Sequence, residues 1–152
     1  MGALVFRVLK TCALIFFAAV LWSIITIALQ IIMTAKLAFE WPSFTALNIH
    51  FDLMRVPLAA IEEVARAIVS RIISSKFDKF RIIGFSLVGG LMEASFVPRG
   101  QEFLSVGNLM PVLAHCLYAF TLCVTWKKYG IIPAILAATA LHFAYNTLAG
   151  NL

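Results

Sequence analysis

Long uncharged hydrophobic runs alternate along this chain with short charged breaks. Residues 11–35 are 25 positions without one charged side chain, preceded by Arg7 and Lys10. About 20 apolar residues suffice for a helix to cross the hydrocarbon of a bilayer. The run is too long for a signal-peptide core and has no convincing cleavage site, so residues 1–36 predict an N-terminal anchor helix. Residues 103–126 and 129–149 form two more such runs, separated by Lys127-Lys128. A fourth, residues 82–97, is interrupted by Glu93 and needs its flanks to reach spanning length. Residues 53–75 are mixed. Glu62, Glu63 and Arg66 are bracketed by Val56-Pro57-Leu58-Ala59-Ala60-Ile61 on one side and Ala67-Ile68-Val69 on the other. An amphipathic surface helix is one reading of this segment. A spanning helix is the other, since pairs at i,i+3 and i,i+4 let Arg66 balance both glutamates on one face.

Composition agrees with a membrane assignment. The chain has 152 residues, 62% of them hydrophobic, with mean hydropathy +0.99; soluble domains carry about 45–50% apolar residues. The expected fold is all-α, a polytopic transmembrane bundle of five spans forming one integral domain over residues 1–152. Residues 1–36 are its anchor and residues 53–149 its four-helix core. With the N-terminus cytoplasmic, eight Lys and Arg residues fall on the inner side and three on the outer, as the positive-inside rule requires. The net charge of +5 therefore reads as a topology signal. No nucleic-acid partner is expected, because no basic run is interleaved with exposed aromatics. Residues 36–52 predict an outer loop, with Phe39, Trp41 and Phe44 at the headgroup level, Pro42 breaking any helix, and His50 solvated or interfacial. Cys12, Cys116 and Cys123 fall within spans and read as small buried hydrophobes.

Ionisable groups inside these runs carry the functional signal. Measured from the cytoplasmic ends of their spans, Glu62, Glu63, Glu93, His115 and His142 lie eleven to thirteen residues in. At about 1.5 Å per residue this is about 16–20 Å, one common depth. Charged side chains in lipid face a protein interior, pair up or do chemistry. Asn146 shares a face with His142 at i,i+4. A carboxylate beside an imidazole can take a proton from water, and an imidazole with an amide can hydrogen-bond an oxyanion. Together they fit attack of activated water on an amide. Other readings stay open. Two histidines and a glutamate can hold zinc, although no HExxH spacing is present. Two histidines at one depth can ligate haem. Intramembrane carboxylates also build proton or ion relays in non-enzymatic scaffolds or subunits.

The order of motifs resembles one family. Glu62-Glu63-x-x-Arg66 is followed by Gly84-Phe85, by Glu93 within Gly-Gly-Leu-Met-Glu-Ala, by His115, and by His142-x-x-x-Asn146. This is similar to the conserved core of the PrsW and CAAX-protease superfamily of intramembrane glutamic endopeptidases, the PrsW branch in particular. The similarity covers residues 61–146. Two residues, where CAAX proteases have three, separate Glu63 from Arg66; PrsW proteins prefer lysine at that arginine; and Pro111 stands where CAAX proteases carry phenylalanine. The resemblance implies metal-independent peptide hydrolysis. Glu62 would be the base on water, helped by His115. Glu63 and Arg66 would orient it and balance charge, and His142 and Asn146 would stabilise the oxyanion. Glu93 would gate substrate or support the site. The implied substrate is a membrane-embedded or membrane-adjacent peptide, and the implied location a prokaryotic inner membrane. Relatives carry more spans, so a partner membrane subunit or a homo-oligomer is a further expectation.

Overall fold

The structure, a computed structural model, describes residues 2–36, 43–46, 49–73, 78–96 and 106–149. Within them run α1 (Gly2–Lys36), β1 (Ser43–Ala46), β2 (Ile49–Asp52), α2 (Arg55–Ile73), α3 (Lys79–Phe96), α4 (Val106–Tyr129) and α5 (Ile131–Ala149). The fold is α-helical apart from one hairpin. Among the described residues, three helices are long and apolar enough to cross a membrane, over Leu4–Ile32, Leu109–Tyr129 and Ile131–Ala149. The apolar stretch of α3, Phe80–Met92, is shorter.

Local chemistry explains the ends. Asp78 caps α3: its carboxylate accepts the Phe80 N–H at 3.0 Å and its carbonyl accepts those of Arg81 and Ile82. The helix therefore begins at Lys79, three residues before the hydrophobic run. Gly130, at φ +90°, turns the chain between α4 and α5. Its N–H bonds the Trp126 carbonyl at 3.0 Å, as left-handed helix ends do. Within the segment expected as an outer loop, β1 and β2 pair antiparallel, Phe44 opposite Phe51 and Thr45 opposite His50. Alternating β-branched or aromatic residues in Ser-Phe-Thr-Ala and Ile-His-Phe-Asp favour that pairing. The side chains of Phe44, His50 and Glu93, and the whole of Phe39, Trp41 and Pro42, lie outside the described residues.

The helices form a ring in which α1 packs on α3, α3 on α4, α4 on α5, α5 on α2, and α2 back on α1. Small residues at the contacts (Ala18, Ala19, Ala65 and Ala119) let the backbones approach. Trp22, Val69, Ile73, Ile82, Phe85 and Cys123 fill the space between them. A second cluster of Ala67, Leu122, Ala134 and Ala138 seals α5 against α2 and α4. The cysteines divide: Cys123 is buried, Cys116 half-buried and Cys12 exposed on the outer face of α1. Burial of all three was expected, but α1 turns only one of its faces to the bundle.

The disposition of α2 differs from that of a surface helix, since charged residues are buried beside Val69 and Ile73 while apolar ones point outward with Arg71. Glu63, Arg66 and Ser70 are buried, while Val64, Ile68 and Ile72 point outward. A helix lying in a headgroup layer would present charges to water and bury its apolar stripe.

Candidate active site

Arg66 organises the interior. It is the largest fully buried side chain among the described residues, and its guanidinium fork reaches three helices. Nε donates to Glu63 Oε2 at 3.0 Å and Nη1 to Ser86 Oγ at 2.9 Å. Nη2 lies 3.4 Å from Glu62 Oε1 and 2.7 Å from His115 Nδ1. Arginine only donates, so His115 Nδ1 must be the acceptor and the ring proton sits on Nε2. The other face of the fork meets the Trp22 ring at 4.6 Å, a cation–π contact. Trp22 also donates its indole N–H to the Glu62 carbonyl at 3.3 Å. It stands edge-on to His115 at 5.4 Å.

Glu63 is fully buried and committed on both oxygens. Oε2 accepts from Arg66, and Oε1 accepts from His142 Nδ1 at 3.0 Å. That second bond fixes the His142 tautomer and turns Nε2 toward Glu62, 3.7 Å from its Oε2. Tyr118 stacks on the His142 ring with centroids 4.6 Å apart and planes 16° from parallel. This carboxylate–imidazole pair has the geometry by which acyl-transfer enzymes hold a histidine with its second nitrogen free.

Glu62 differs from its neighbour. Its side chain retains 13% exposure and faces a half-open cavity of about 360 Å³. Trp22, Ser23, Thr26, Ile27 and Gln30 from α1 line this cavity, as do Gly89 and Met92 from α3 and His142 and Asn146 from α5. Ile27 is 56% exposed, so the cavity rim reaches the outer face of the bundle.

Of the residues singled out from sequence, Glu62, Glu63, Arg66, His115 and His142 converge within one hydrogen-bonded cluster. Asn146 lies on the cavity wall, and its carbonyl accepts a hydrogen bond from Arg55. Glu93 is on α3, one helical turn beyond Gly89, with its side chain outside the described residues. His115 stands beside both Glu62 and Arg66. Its Nδ1 is 3.8 Å from Glu62 Oε1 and already engaged by Arg66, so it braces the arginine.

Three participants were not singled out from sequence. Ser86 was hidden because a lone serine in a span looks like a packing residue. Trp22 carries no spacing or motif that sets it apart from other aromatics of an apolar run. The third is the polar edge of α1: Ser23, Thr26 and Gln30 share one face by their spacing of three and four. That spacing was a readable signal inside an otherwise apolar run. Consequently α1 forms a wall of the site.

Two cofactor readings meet this geometry. Glu62, Glu63 and His142 each offer a ligand atom, all within 4.8 Å of one another, and a catalytic zinc takes three protein ligands. But both Glu63 oxygens are engaged, and the Arg66 cation lies against both carboxylates, so the donor set fits a divalent ion poorly. For haem, His115 is 3% exposed and enclosed by Trp22, by Tyr118 at 5.7 Å and by the backbone at Gly90, which leaves no open face for a porphyrin among the described residues.

Among known proteins, no family model, no curated protein and no solved structure matches this chain.

Proposed function

We propose that the chain is a five-span inner-membrane protein, N-terminus cytoplasmic, and an intramembrane peptidase of the PrsW and CAAX-protease kind that hydrolyses amide bonds with Glu62-activated water. The disposition of α2 supports the span count, because Val64, Ile68 and Ile72 suit lipid and Glu63, Arg66 and Ser70 do not. The ordered motifs support the family. The observation that carries the chemistry is the pairing of Glu62 Oε2 with His142 Nε2 across 3.7 Å at the cavity floor. At that separation one water can hydrogen-bond both atoms at about 2.8 Å each.

Charge balance assigns the roles. Two carboxylates face one guanidinium in a site sealed from water on most sides, and neutrality there requires one further proton. Glu62 and His142 are the groups that share it. With the proton on His142 Nε2, ionised Glu62 takes a proton from the water, and the hydroxyl oxygen forms a bond to the substrate carbonyl carbon. The oxyanion forms against the His142 Nε2–H and the Asn146 amide. As the C–N bond breaks, Glu62 returns its proton to the leaving nitrogen, leaving one acid and one amine. Glu63 holds the imidazole in register, and Arg66 holds both glutamates. His115 and Ser86 hold Arg66.

The test is cleavage of a membrane-anchored reporter peptide by purified protein in liposomes. Glu62→Gln abolishes product while the protein remains folded and monodisperse, and chelators leave the wild-type rate unchanged. Normal cleavage by Glu62→Gln refutes the mechanism. Proton flux through liposomes that depends on Glu62, without cleavage, favours the relay reading.

A further inference from the structure

The catalytic cluster occupies only the floor of the cavity; the long wall is α1. Three polar side chains line it there, Ser23, Thr26 and Gln30. Ser23 donates its hydroxyl to the Ala19 carbonyl at 2.9 Å, the usual fate of a hydroxyl in an apolar helix. Thr26 does not do this. Its residue is 7% exposed and its hydroxyl oxygen is buried with no hydrogen-bond partner among the described residues. An orphaned hydroxyl in such surroundings is unfavourable. Because Thr26 also lines the cavity, its hydroxyl can offer a hydrogen bond to a group entering there.

We propose that this cavity binds the main chain of an extended, uncharged peptide segment along α1, with the Thr26 hydroxyl bonding a peptide N–H or C=O of the ligand. The identity of the ligand rests on the peptidase reading. The cavity chemistry supports it independently. Among the described residues, Glu62 and His142 are the ionisable side chains on the lining, and no Lys or Arg is part of it. A phosphate or carboxylate headgroup would meet the Glu62 carboxylate with no cation among the described lining side chains to balance it. Ser23 to Gln30 spans about 10.5 Å along the helix, the length of about three residues of extended chain. Ile27, Met92 and the Trp22 ring supply apolar surface between the polar positions. The volume is at the small end for ligand sites, which suits small side chains next to the cleaved bond. The exposed Ile27 rim opens the site toward the surroundings of the bundle.

The experiment uses the full chain in detergent with Trp41→Phe and Trp126→Phe, leaving Trp22 as the only tryptophan. Its emission is followed while a blocked alanine–leucine–alanine amide is added. The expected result is a saturable change, a dissociation constant raised about 5–10-fold by Thr26→Val, and recovery in Thr26→Ser. Valine keeps the shape of threonine without the hydroxyl, so folding is preserved. Equal binding by wild type and Thr26→Val overturns the proposal, and so does the absence of saturable binding. The first outcome would mean that water or an acyl chain occupies the position. Saturable, Thr26-dependent binding by a wild-type protein that cleaves no reporter overturns the hydrolase reading and leaves this binding site standing.

Discussion

Arg66 offers the sharpest test of how this interior is held together. Glutamine at position 66 removes the cation but keeps a polar, helix-compatible side chain. Glu63 would lose its 3.0 Å partner at Oε2 and keep only His142 at Oε1. Glu62, Ser86 and His115 would each lose a bond to the fork. Two adjacent carboxylates would then share a buried space with no permanent positive charge. Breaking a buried ion pair from one side costs about 3–5 kcal/mol, chiefly through the charge left behind. The same arithmetic predicts rescue: Glu63→Gln in the Arg66→Gln background removes the stranded charge and should recover about 2 kcal/mol or more. Reversible unfolding by SDS in mixed micelles, followed by tryptophan fluorescence, measures all four corners of the cycle. A single variant within about 1 kcal/mol of wild type would refute the reasoning, since the interior would then accommodate the unpaired carboxylates. A double variant no more stable than Arg66→Gln would refute it as well, because the loss would be one of packing alone.

Two other predictions concern packing and topology. A Cβ at Gly89 would sit 2.5 Å from the Trp22 ring, so Gly89→Ala displaces the indole that braces Arg66. The expected cost is about 1–3 kcal/mol in the same unfolding assay, with part of it recovered by Trp22→Phe; an unchanged midpoint would contradict the contact. If α2 spans the bilayer, Ile68→Cys in a background with Cys12, Cys116 and Cys123 replaced by serine should resist a membrane-impermeant maleimide in intact vesicles from either side. Rapid labelling would place α2 at the surface and remove the five-span topology.

The chain on its own determined the apolar architecture and much of the cluster. Uncharged runs the length of a bilayer specify helices, because lipid offers no partner for a bare backbone. Charges embedded in such runs announce themselves by their cost, so Glu62, Glu63, Arg66, His115 and His142 were legible before any fold was known. Helix periodicity put both glutamates within reach of Arg66, since that pairing is local to one helix. Partner choice between helices was decided only by tertiary packing. Nothing in the spacing distinguishes Glu63, locked by Arg66 and His142, from Glu62, left on the cavity. Nor does the sequence say that His115 serves the arginine, or that Ser86, Trp22 and the Thr26 edge of α1 belong to the site. These depend on how five helices rotate about their axes against one another. That rotation is set by small residues such as Ala19, Gly89 and Gly90, where steric contact between whole helices, and no local pattern, determines which faces meet.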